Sequence, residues 1–95
     1  MPEMRFRIRW PDGRSETCYS PSLVIKDYFS AGAAYPLADF LERSRTALGI
    51  ASGRVKAKYG VPCRRALAQL ARIEAAAGAF TNRPDARVVV DGFDE

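Results

Sequence analysis

The chain has 95 residues, 47% of them apolar, with fifteen basic and eleven acidic side chains giving a net charge of +4, and it contains no histidine. That is the size and composition of one folded domain, able to form a modest core without disulfides or metals. The missing imidazole excludes Ser-His-Asp and Cys-His catalysis and the common zinc sites, and the absent GxGxxG and P-loop patterns exclude the common nucleotide enzymes.

Met4 to Trp10 places Met4, Phe6, Ile8 and Trp10 on one face and Arg5, Arg7 and Arg9 on the other, the period of a half-buried strand. Pro11, Asp12 and Gly13 make a turn, and Ser15 to Tyr19 returns as a second strand of a hairpin. Ser20 as a cap and Pro21 at a first helical position introduce a short helix over Leu23–Phe29, followed by a loop from Ser30 to Ala34. Pro36 starts a helix whose Leu37, Phe40, Leu41, Ser44, Leu48, Ala51, Val55 and Tyr59 share a face, with a break allowed near Gly49 and Gly60 as the cap.

Pro62 opens a further helix with Ala66, Leu67, Leu70, Ile73 and Ala77 as its apolar stripe. After a turn at Asn82 to Asp85, the segment Ala86 to Asp91 turns Val88 and Val90 inward as a final strand, whose direction relative to the first is left open. The expected order is ββαααβ over a single domain, residues 1–95. This is an α+β, two-layer fold in which a three-stranded sheet, the N-terminal hairpin plus the C-terminal strand, packs on a helical hairpin.

No stretch has the length and hydropathy of a membrane span or the pattern of a secretory signal, so the expected location is the cytoplasm. Cys18 and Cys63 form no CxxC pair and are expected to be free thiols. Cys63, close to a helix N-terminus, is the one position where a thiolate would be favoured. No cofactor, metal or catalytic residue is expected, and the protein is read as a non-enzyme.

Charge is the one strongly uneven feature. Between Arg43 and Ile73 stand eight basic residues, Arg43, Arg45, Arg54, Lys56, Lys58, Arg64, Arg65 and Arg72, and not one acid. Such a segment prefers an acidic partner, whether nucleic acid, anionic ligand or protein, although an ordinary amphipathic helix also lays cationic stems along the edge of its core. An unbroken helix through Gly49 would put Arg43, Arg54 and Lys58 on one flank of its apolar stripe and Arg45 and Lys56 on the other.

Leu48, Gly49, Ile50 and Val55 also have the spacing of a helix-turn-helix around its turn glycine, with Arg45 and Lys58 standing where that motif requires a small and an apolar residue. Gly49, Gly53 and Ala57 form a strip of small residues open to another helix, a partner subunit or solvent. Arg5, Arg7 and Arg9 form either a solvated sheet face or an anion-contacting one.

The wording of the chain carries more than its periods. MPEMRFRIRWPDG, TCYSPSLVIKDYF, YPLADFLERSRTALGIAS, RVKAKYG and CRRALAQLARIEA, in that order, resemble a family of short bacterial nitrogen starvation response proteins. The likeness runs from Met1 to about Ala77 and resumes in the final strand; at Gly53 the resemblance leads one to expect a glutamate or another good helix former. It implies a cytoplasmic accessory role in nitrogen metabolism, encoded beside a nitrilase, a radical SAM protein, an acetyltransferase, an aminoimidazole-ribonucleotide-synthase-like protein and a flavoprotein, in a cluster linked to nitrile or cyanide nitrogen assimilation. It implies no catalytic residues. The expected function is a small non-catalytic accessory or regulatory protein with protein partners from such a cluster. A nucleic-acid-binding regulator acting through residues 43–72 is the alternative, and the oligomeric state is left open.

Overall fold

The alternation at Met4–Arg9 forms an inner strand of an antiparallel sheet, with Met4, Phe6 and Ile8 fully inside. The structure, a computed structural model, describes residues 3–95. In chain order the elements are β1 (Met4–Arg9), β2 (Ser15–Ser20), α1 (Ile25–Tyr28), β3 (Ala34–Pro36), α2 (Leu37–Tyr59), α3 (Arg64–Ala77), a 3-10 turn at Gly78–Phe80 and β4 (Arg87–Asp94). The sheet has four strands in the order β2-β1-β4-β3, every neighbouring pair antiparallel.

This corrects the expected three-stranded sheet and the order ββαααβ. The added strand is β3, within a segment read as a loop and a helix start. Its three residues, Ala-Tyr-Pro, are too few to show a period, and proline weakens a strand signal. Its place is secured from outside: β4 would otherwise present a bare edge, and Gly32 at φ 83° turns the chain so that its amide donates to the Val90 carbonyl. Val90 in turn donates to the Ala33 carbonyl.

Three smaller expectations also change. Ser20 does not cap a helix: its hydroxyl donates to the Ser22 carbonyl at the end of β2, and the helix starts only at Ile25. α2 runs unbroken through Gly49 for 23 residues, which removes the helix-turn-helix geometry. Leu67 is exposed, because it lies one residue, and thus 100°, off the Ala66–Leu70–Ile73–Ala77 line that meets the core.

β1 and β4 meet with a bulge: Arg7 faces Gly92 and Ile8 faces Val90, so Asp91 is the extra residue. The helices pack on the face carrying Phe6, Ile8, Val88 and Val90, where Phe29, Phe40, Trp10 and Phe80 interlock at ring-centroid separations of 5.4–5.9 Å. Both sheet edges are protected. β3 is short and ends in proline. α3 serves the β2 edge: Gln69 accepts a hydrogen bond from the Tyr19 amide at 3.0 Å, and Arg72 pairs with Glu16 at 3.0 Å. Among the described residues no helix is long and apolar enough to cross a membrane.

Candidate functional site: the end of the helical hairpin

α2, at about 1.5 Å per residue, is about 34 Å long, whereas the six residues of β1 span about 20 Å. The helix therefore outruns the sheet beneath it. Its apolar stripe shows where the support ends: Leu37, Phe40, Ser44, Leu48 and Ala51 are buried, Val55 is half-buried, and Tyr59 on the same face is 62% exposed. Gly60, at φ 84°, closes α2 by donating its amide to the Lys56 carbonyl, and the chain returns through Val61 and Pro62 into α3. From Gly53 to Arg65 every residue is exposed except the half-buried Val55 and Cys63. Among the described residues the exposed large apolar side chains are Ile50, Tyr59, Val61 and Leu67, all on this hairpin.

The structure divides the eight hairpin cations into two sets of equal size. Four meet acids from outside the acid-free segment: Arg43 with Asp39, Arg45 with Glu74, Arg65 with Glu3 and Arg72 with Glu16, at 3.0–3.5 Å. Arg43 also donates to the Tyr28 carbonyl and lies over the Tyr35 ring, tying α1, α2 and β3 together. The other four, Arg54, Lys56, Lys58 and Arg64, have no acidic partner among the described residues, and all lie in the overhanging segment. Arg54 donates to the Ser22 hydroxyl, a neutral partner, and Lys58 sits 5.4 Å from the centre of the Tyr59 ring.

The arginine face of the sheet is arranged differently. Arg7 pairs with Asp94 at 3.1 Å and Arg9 with Asp91 at 2.9 Å. Gly92 makes room for the first pair, since a Cβ there would stand 2.5 Å from an Arg7 guanidinium nitrogen. Arg5 has no acidic partner among the described residues; together with Arg65 it lies over the Tyr19 ring. Burial pushes the Tyr19 phenol up, aided by Cys63 and opposed by Arg65.

The two thiols are free and differ in surroundings. Cys18 is buried under the sheet, and its desolvation pushes the thiol up to about 12. Cys63 is half-buried at the N-cap of α3, its amide donating to the Ser52 hydroxyl. Gly49, Gly53 and Ala57 are exposed, and a Cβ at either glycine would meet nothing within 4 Å, so among the described residues neither α1 nor any other element packs against the two glycines. Among the described residues no three of Cys, Asp and Glu come close enough to hold a metal ion.

What the sequence does not mark is Tyr59 and Val61 as exposed. Tyr59 continues a core stripe, and only the length of α2 relative to the sheet turns it outward. Comparison with known proteins places this geometry in a family setting. The family model described as nitrogen starvation-induced protein NitG matches residues 5–93. No curated protein and no solved structure matches the chain.

Proposed function

We propose, from the premise that the chain belongs to the NitG family of nitrogen starvation-induced proteins, that it is a non-catalytic accessory protein that docks onto an acidic partner. The observation that carries this reading is the sorting of the cations: half of the hairpin charge is neutralised internally, and the unpaired half is gathered where the hairpin overhangs. Unpaired like charges on a rigid projection repel one another and gain from an acidic surface brought to them. The absence of histidine and of nucleotide loops supports a binding role over a catalytic one. The partners proposed are enzymes of a nitrilase-containing cluster, in the cytoplasm.

The test is affinity purification of the tagged protein from nitrogen-starved native cells, with nuclease added, followed by mass spectrometry. Near-equal recovery of a nitrilase, flavoprotein or radical SAM protein is the expected outcome. Material that disappears with nuclease treatment, leaving no protein behind, would replace the accessory role with a nucleic-acid one.

A further inference from the structure

The overhanging end of the hairpin is apolar as well as basic. The α2 stripe that buries Leu48 and Ala51 is half-covered at Val55 and runs on to Tyr59, 62% exposed, and Val61, 64% exposed, follows directly after the Gly60 turn. A stripe kept apolar two turns past its own core leaves an exposed aromatic and a β-branched side chain in water. Solvent-exposed apolar side chains are ordinary singly; here they share one short projection with four unpaired cations.

We infer that this end is a protein-docking finger in which Tyr59 and Val61 enter an apolar pocket while Arg54, Lys56, Lys58 and Arg64 engage an acidic rim around it. The inference rests on the accessory-protein reading above and names the residues and partner chemistry. The mixture decides the class of partner. A phosphate backbone needs only the cations and gives nothing back for Val61, which can neither stack on a base nor donate a hydrogen bond. A protein surface uses both parts, with aromatic anchors at the centre of the contact and charge at its rim. The unbroken course of α2 through Gly49 also removes the turn that a helix-turn-helix reader would need.

A photo-crosslinking residue is placed at the tip, Tyr59→p-benzoylphenylalanine, and separately at the opposite end of α2, Ala38→p-benzoylphenylalanine, in the full chain expressed in nitrogen-starved native cells. Both positions are exposed, so both variants should fold, which thermal unfolding checks. The expected result is one protein adduct from position 59, absent from position 38, with the crosslinked peptide containing both acidic and apolar residues. Adding Val61→Ser should cut the adduct about tenfold or more, the loss expected of an anchor residue. Replacing the four cations that lack an acidic partner with Gln should make capture slower and remove its salt dependence.

A protein adduct from position 38 alone, or equally from both positions, would overturn the finger and leave the accessory reading standing. So would an adduct insensitive to Val61→Ser, or one with a second copy of this chain. Adducts that consist only of nuclease-sensitive material would overturn both readings.

Discussion

The arginine face of β1 and the overhanging end of α2 look alike as text: Arg5, Arg7 and Arg9 alternate with apolar residues, and Arg54, Lys56 and Lys58 alternate with small or apolar ones. In the fold they have opposite electrostatic states. β4 lies beside β1 and brings Asp94 to Arg7 and Asp91 to Arg9, the second delivered by the bulge that makes Asp91 the extra residue. Among the described residues no carboxylate pairs with a cation in the last turns of α2; those that pair with hairpin cations, Asp39, Glu74, Glu3 and Glu16, meet Arg43, Arg45, Arg65 and Arg72. A run of basic residues therefore keeps its charge available only where the neighbouring element fails to neutralise it.

The contrast requires a firmly held hairpin base and a free end, and it breaks first at the base. Ile73→Ala, which removes a fully buried side chain from α3, should cost about 2–5 kcal/mol in urea unfolding. Arg54, Lys56, Lys58 and Arg64 replaced together by Gln should leave stability within about 0.5 kcal/mol per site. Equal losses from the two variants would mean that the end is part of the core.

The two thiols sample the two regions. The Cys18 thiol is pushed from 9.0 to about 12 in the folded protein, so the unfolded chain releases that proton first. Its stabilising effect is complete below pH 9 and is lost as pH rises from there toward 12, with a slope approaching 1.4 kcal/mol per pH unit. Stability measured from pH 8 to 10.5 should fall more steeply for the natural protein than for Cys18→Ala. In the native state Cys63 should react with a thiol reagent while Cys18 remains protected.

Gly60→Ala forces a side chain into the left-handed conformation at φ 84° and should cost about 1 kcal/mol, read in the same unfolding experiment. It should also weaken tip-dependent crosslinking by re-aiming Val61. Asp91→Asn with Asp94→Asn should cost at most about 1 kcal/mol per exposed pair, yet it unmasks Arg7 and Arg9 and should lengthen retention on a cation exchanger. If the double variant elutes with the natural protein, the sheet face was never neutralised by β4.

Much of the scaffold was legible because its signals are local. The period of two in Met4–Trp10, the turn at Pro11–Gly13, the long stripe from Leu37, and Gly60 as a cap all became elements close to where the residues place them. Misreadings arose where local signals were weak or shared. β3 is too short for a period, and Ser20 followed by Pro21 suits a turn as well as a helix start. Leu67 belongs to the helix but not to its buried line. Of the residues singled out for binding, their chemistry was readable and their availability was not.

By itself the sequence determined the inventory: a small α+β chain with no imidazole, an acid-free basic segment, two unpaired cysteines and the wording of one family. Tertiary structure decided most of which charges remain for a partner: apart from Arg43 with Asp39, one turn apart on α2, the neutralising pairs of the sheet face and hairpin join positions 29 to 87 residues apart and follow from strand register and helix packing, not from spacing. It also decided that Tyr59, on the same helix face as the apolar stripe, faces water. A helix keeps its period for as long as the chain supplies it, whereas a core ends where the sheet does.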